Sequence, residues 1–142
     1  MDLVKERTRI VSSIYDVPEF RPFWAVVEEL EIPFYLHPRN PLTDQMPFFD
    51  GHPWFTNSPW AFALETAMHA LRLMGSGLFD EYPKLQLVIG HLGERIPFDL
   101  WRLDHRLKKT PQGIPAKKPR GNTCGITFIL LPAANFMTHH FI

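Results

Sequence analysis

At 142 residues, with 45% hydrophobic and 21% charged side chains, the chain is long enough for one globular domain and is not intrinsically disordered. Its fifteen basic and fifteen acidic residues cancel, which argues against a nucleic-acid partner, and no apolar stretch is long enough to span a membrane. The single cysteine, Cys124, excludes an internal disulfide framework, and the absence of a secretory segment favours a cytoplasmic protein.

The first predicted elements are a helix and a short strand. Residues 23–30 are predicted to form a helix, which Pro22 opens in its first turn. The apolar residues 32–36 then form a strand that stops at His37. Residues 39–56 are rich in Pro, Asp, Gly and Phe, which predicts a long loop of the kind that often covers an active site.

A second helix and strand follow this loop. Asn57 or Ser58 is expected to cap the helix, and Gly75 is expected to end it. The apolar residues 85–90 form the second predicted strand, which stops at His91.

A third helix is predicted at about residues 97–107, with Phe98, Trp101 and Leu107 facing inward. The alternation of helices and strands predicts an α/β fold with a parallel sheet. Parallel strands end at one edge of a sheet, so we expect His37 and His91 to face the same mouth.

The residues around the two histidines suggest chemistry of different kinds. For His37, a hydrogen bond to a backbone carbonyl is favoured over a role as a metal ligand. His91 lies in Gly90-His91-Leu92-Gly93-Glu94, where the glycines permit a sharp turn and Glu94 can tune the imidazole as an acid or base. Arg102 can pair with Glu94, with a substrate carboxylate, or with a surface acid. Three further histidines are interpreted as core or surface residues: His52, His69 and His105.

These motifs carry a resemblance over residues 15–119. Pro38-Arg39-Asn40-Pro41, the Gly-His-Leu-Gly-Glu segment and the Trp-Arg-Leu-Asp-His-Arg segment on the third helix resemble the amidohydrolase-type decarboxylases of 2,3-dihydroxybenzoate and γ-resorcylate. The resemblance implies an incomplete (β/α)8 TIM barrel that contains only central-to-C-terminal βα units. It also implies one divalent metal (Zn, Mn or Mg), a small aromatic carboxylic acid as substrate, and a homo-oligomer.

The resemblance further implies roles for four residues. His37 matches a metal ligand, His91 the histidine of proton transfer, Glu94 its acidic partner, and Arg102 a residue of the substrate pocket. In the implied reaction the metal binds the carboxylate and phenolate oxygens, an acid protonates the ring carbon, and CO₂ is lost.

The chain departs from the family pattern at both ends. We expect a divergent segment at residues 1–14, a partial barrel at 15–120 and an aberrant, structureless tail at 121–142. A complete barrel takes about 250 residues, and the first-strand metal motif and a later aspartate ligand are missing. A metal site with His37 alone would be several ligands short, so retention of the metal is left open and we expect the isolated chain to be weak or inactive. A hydrolase of a lactone or amide and a non-catalytic fragment are the alternatives.

A frameshift would explain the tail. Codons from Gly121 onward, read from their third base, can spell Glu-Tyr-Leu-Arg-Asn-His-Leu-Tyr-Ile-Thr-Thr-Ser-Gly-Lys-Leu-His-Asp, which has the family pattern. Transcript reads that cross codon 120 in an uninterrupted frame would refute this hypothesis.

Overall fold

Three short parallel strands form the sheet of this protein. The structure, a computed structural model, describes residues 14–42, 44–117 and the backbone of residues 126–128. The strands lie in the order β1 (Phe34–Leu36), β2 (Leu87–Ile89) and β3 (Ile126–Phe128). Leu36 pairs with Ile89, and Ile89 pairs with Phe128, so the three strands end at the same edge.

Helices alternate with these strands along the chain. They are α1 (Arg21–Glu29), α2 (Ala61–Gly75), α3 (Leu78–Glu81) and α4 (Ile96–Lys109). The predicted helices and the parallel α/β pattern are confirmed, and Pro22 lies in the first turn of α1, where its missing N–H costs no helical hydrogen bond. No helix within the described ranges is long and apolar enough to cross a membrane.

The core lies on one face of the sheet. Leu36 is 4% exposed and packs with buried residues of α1, α2 and α3, whereas its neighbour Tyr35 is 40% exposed on the other face. Trp24 of α1 is fully buried, and its Nε1–H donates a hydrogen bond to the carbonyl oxygen of Tyr15 at 2.8 Å. Because side chains alternate along a strand, the face that carries Tyr35 also carries His37.

The inward face predicted for α4 is wrong for two aromatic residues. Phe98 is 81% exposed and Trp101 is 77% exposed, while Ile96 is buried and Leu100 packs against the core. Residues 96, 98, 100 and 101 are all apolar, so the periodicity allows more than one stripe to face the sheet. The stripe through Ile96 and Leu100 is the one that does.

Two further expectations are corrected. Asn57 does not cap α2, whose N-cap is Trp60 with no side-chain cap, because the side chain of Asn57 is bonded to Asn40. The tail was expected to be structureless, yet Ile126–Phe128 form a strand beside β2. The remainder of the tail and residues 1–13 lie outside the described residues.

Candidate functional site

The two strand-end histidines lie at the same edge of the sheet. Because Leu36 pairs with Ile89, His37 follows β1 at the level of Gly90, and His91 comes one residue later. Both histidine side chains are exposed there. The strands therefore end side by side as the sequence predicts, with one histidine after each.

His37 is held by the backbone of the residue that follows it. Its Nδ1 lies 2.9 Å from the carbonyl oxygen of Pro38, and its ring stands edge-on to Tyr35 at 5.8 Å between centroids. A carbonyl oxygen only accepts, so in the neutral ring Nδ1 carries the proton and the lone pair is on Nε2. The backbone hydrogen bond favoured from the sequence is thus present, and it leaves Nε2 able to bind a metal.

His91 and Glu94 form a close acid–base pair. His91 Nδ1 lies 2.7 Å from Glu94 Oε1, and the Glu94 side chain is 5% exposed while that of His91 is 46% exposed. Burial raises the pKa of Glu94 above its ordinary value, and the hydrogen bond from His91 offsets part of that rise. The pair thus joins a half-exposed imidazole to a buried carboxylate, and the contact uses Nδ1 and leaves Nε2 outside it.

The backbone that carries this pair is left-handed over five residues. The φ angles are 48°, 58°, 73°, 48° and 68° at His91, Leu92, Gly93, Glu94 and Arg95. A non-glycine residue costs about 1–2 kcal/mol in this region. Strain of this kind collects at functional sites, where surrounding structure holds it, and here it brings the imidazole onto the carboxylate.

Gly90 serves this turn by its size. Its φ of −75° is open to any residue, so the left-handed conformation begins only at His91. A Cβ at Gly90 would lie 2.6 Å from the hydroxyl oxygen of Tyr35, closer than real contacts allow. A side chain at position 90 would have to displace the tip of the exposed Tyr35 ring, so glycine leaves room for that ring at the ends of β1 and β2.

Arg102 is not brought to this pair. It is exposed on α4, and within the described ranges it forms no hydrogen bond or ion pair. The predicted contact with Glu94 is absent, since the partner of Glu94 is His91. A contact between Arg102 and a substrate stays a prediction.

Sequence reasoning missed a buried network behind His37. Arg39 Nε donates to Glu65 Oε1 at 2.8 Å, and the Glu65 side chain is 4% exposed. His69, interpreted from the sequence as a core or surface residue, is 1% exposed, and its Nδ1 faces the same Glu65 oxygen at 3.4 Å. Its Nε2 accepts the backbone N–H of Tyr15 at 3.0 Å. The i,i+4 spacing of Glu65 and His69 was the one local signal that could have indicated this network.

The charges of this network stabilise one another. Burial acts to raise the pKa of Glu65, but His69 and Arg39 together outweigh it, so this pKa lies below the ordinary glutamate value. Arg39 also lies over the ring of Tyr15, 6.0 Å from its centroid. Glu65 is therefore ionised and paired at neutral pH.

The described residues do not by themselves fit a catalytic metal. Between residues 14 and 117, leaving out residue 43, no three His, Cys, Asp or Glu side chains form a group that could hold an ion. His37 offers one imidazole nitrogen, whereas a catalytic site takes about three protein ligands. Any further ligands would have to come from outside the described residues.

The sequence of this chain matches a known protein family over most of its length. A family profile described as Amidohydrolase matches residues 9–110. The chain belongs to the amidohydrolase family. The γ-resorcylate decarboxylase of a Rhizobium species is 51% identical over 130 residues, which are 90% of this amidohydrolase chain and 40% of the relative. The chain thus spans about two fifths of the length of the curated relatives that it matches.

Solved structures agree with the amidohydrolase fold. The 2,6-dihydroxybenzoate decarboxylase of Rhizobium is 51% identical, with a TM-score of 0.75, over 80% of this chain and 36% of that protein. A dihydroxybenzoic acid decarboxylase of Polaromonas, with bound manganese and 2-nitroresorcinol, is 47% identical with the same TM-score and coverage. The predicted fold class, part of a (β/α)8 barrel, is confirmed by these matches.

Proposed function

We propose that this chain contributes the proton-transfer part of a non-oxidative hydroxybenzoate decarboxylase, a carboxy-lyase of the amidohydrolase family. The observation that carries the proposal is the contact of 2.7 Å between His91 Nδ1 and the buried Glu94 carboxylate. It lies at the carboxyl edge of the sheet, where parallel α/β folds place their chemistry. The identity of about half to named decarboxylases supports the same assignment.

The pair suits the protonation of a ring carbon. In the protonated imidazole, Nδ1–H donates to Glu94, and Nε2–H is free to give its proton to the carbon that bears the carboxylate. The bond from that carbon to the carboxylate then breaks, its electrons restore the aromatic ring, and CO₂ leaves. His91 is left neutral and regains a proton from water. The carboxylate of Glu94 stabilises the charged imidazole before the transfer and again after His91 is reprotonated.

A divalent metal would supply polarisation of the substrate oxygens when bound. The manganese in the Polaromonas relative supports Mn²⁺ as the ion, with Nε2 of His37 as one of its ligands. Since the described residues do not complete such a site, the steps assigned to this chain are those of His91 and Glu94 alone.

The substrate that we propose is a small aromatic carboxylic acid with a hydroxyl group beside the carboxylate. The relatives solved with 2,6-dihydroxybenzoate and with 2-nitroresorcinol support this class. Arg102 is proposed to contact the substrate once the rest of the barrel is present. A homo-oligomer stays a prediction from the family resemblance.

A chimera tests the proposal. Residues 14–110 of this chain would replace the matching part of a γ-resorcylate decarboxylase, and CO₂ release from 2,6-dihydroxybenzoate would be measured with Mn²⁺. We expect turnover, and we expect His91→Gln to lower kcat by about 10²-fold or more, the range of a general acid. His105→Gln is the matched control, because His105 is an exposed histidine stacked on Trp101 in α4.

Two outcomes would contradict the proposal. One is a folded, metal-loaded chimera that releases no CO₂, or that opens a lactone instead. The other is equal activity of the His91 and His105 variants. Separately, stoichiometric metal and turnover in the isolated chain would contradict the expectation that ligands are needed from elsewhere.

A further inference from the structure

The chain after His37 is anchored at two successive residues. Arg39 is bound to Glu65 of α2 at 2.8 Å. Asn40 is bound to Asn57 twice: its Nδ2–H donates to Asn57 Oδ1 at 2.8 Å, and its Oδ1 accepts the backbone N–H of Asn57 at 2.9 Å. The segment after His37 is thus attached to Asn57, just before α2, and to Glu65 within α2.

The ion pair of Arg39 with Glu65 acts on the peptide unit whose oxygen is bonded to His37. The carbonyl oxygen that accepts from His37 Nδ1 belongs to the peptide bond between Pro38 and Arg39. A peptide unit is planar, so the orientation of that oxygen is fixed together with the backbone nitrogen of Arg39. Pro38 is buried and restricts its own φ, which leaves the Arg39 side to determine how the oxygen points.

We propose that Glu65 and Arg39 are positioning residues that set the orientation of the His37 ring through the Pro38–Arg39 peptide. Glu65 can act in this way because it is itself fixed: its side chain is 4% exposed, and His69, 1% exposed, lies against the same oxygen. The inference rests on the proposed function only in taking His37 as a residue of the site.

The loss of an ion pair that only stabilises the fold would not change the orientation of the His37 ring. The pair between Arg72 and Asp16 is also attached to α2, with contacts of 2.8 and 3.0 Å, but its hydrogen bonds involve neither Glu65 nor the segment from His37 to Arg39. Its loss should loosen the fold without moving the His37 ring. The two pairs therefore form a matched comparison within one chain.

The test is the proton NOE between the rings of His37 and Tyr35 in the full 142-residue chain, whose ring centroids are 5.8 Å apart. The His37 signals are assigned by their absence in His37→Gln. We expect the NOE in the wild type, its loss in Arg39→Met, and its return in Arg39→Lys, which keeps the charge and a donor. We expect Arg72→Met to keep it.

Any other pattern of NOEs among the folded variants overturns the proposal. If Arg39→Met keeps the NOE, Arg39 does not orient His37. If Arg72→Met loses it as well, the effect is a general loosening. Should Arg39→Met fail to fold, as its amide spectrum would reveal, Arg39→Gln is measured in the same way. The NOE does not depend on turnover, so a failure of decarboxylation would leave this test standing.

Discussion

Replacing Glu65 by Gln tests whether the buried ion pair stabilises the fold. The change keeps the shape of the side chain and an oxygen that can still accept from Arg39, but it removes the charge. Arg39 is 29% exposed, so water can partly solvate its guanidinium after the change. Glu65 itself is almost fully buried, and the cost of its ionisation is offset by the charge of Arg39 and by the Nδ1 of His69 beside it.

The expected loss of stability is about 1–2 kcal/mol at neutral pH. Two charges about 4 Å apart attract by about 4 kcal/mol at the effective dielectric constant of a protein surface. The removal of a carboxylate from water costs several kcal/mol, which offsets a large part of that gain. The remaining 1–2 kcal/mol is about a fifth of the stability of a small domain.

The pH dependence of this loss has a definite sign. The pKa of Glu65 is lowered in the folded chain, so its contribution is present above the unfolded pKa and disappears as pH falls through the folded one. Glu94 is the control, because its pKa is raised and its contribution is lost as pH rises. Glu94→Gln should therefore leave stability at neutral pH equal or up to about 1 kcal/mol higher.

Urea unfolding of wild type, Glu65→Gln and Glu94→Gln measures these differences from pH 7 down to the lowest pH at which the wild type remains folded. The gap between wild type and Glu65→Gln should narrow as the pH falls below about 4. A difference in unfolding free energy between wild type and Glu65→Gln that is constant or widens in acid would contradict this account. So would a Glu94→Gln variant that is less stable than the wild type at pH 7.

Two more substitutions probe the site and the core. Gly90→Ala should cost about 0.5–1.5 kcal/mol in urea unfolding, because the new Cβ meets the Tyr35 hydroxyl at 2.6 Å and the exposed Tyr35 ring must leave its preferred rotamer. Adding Tyr35→Phe should recover part of that loss, and an unchanged stability of Gly90→Ala would show that the Tyr35 ring moves aside without cost. Trp24→Ala should cost about 3–5 kcal/mol in the same assay, because Trp24 is fully buried and bonded to the Tyr15 carbonyl. A loss below about 1 kcal/mol would contradict the packing described for α1.

The sequence predicts best what depends on neighbours along the chain. Pro22 marks the start of α1, and the apolar runs that stop at His37 and His91 are the strands that end at one edge. The histidine of a Gly-His-x-Gly-Glu segment can reach the glutamate three residues on, and His91 and Glu94 do so. Each of these conclusions needs only local spacing and the geometry of a parallel sheet.

What depends on distant partners could not be predicted. Arg39 meets Glu65 across 26 residues, and Asn57 turns to Asn40, 17 residues earlier, instead of capping α2. In α4 the apolar pattern does not say which stripe faces the sheet, and Trp101 lies outside. Periodicity reports which residues are apolar, whereas the choice of face is made by the rest of the fold.

The left-handed run from His91 to Arg95 bears on the order in which the molecule assembles. Four non-glycine residues in that region oppose it by about 4–8 kcal/mol in sum, which rivals the net stability of a whole domain. A nascent chain or an isolated peptide would spend little time in that shape. We therefore expect the imidazole and its carboxylate to meet late, after the strand before them and the helix after them have docked.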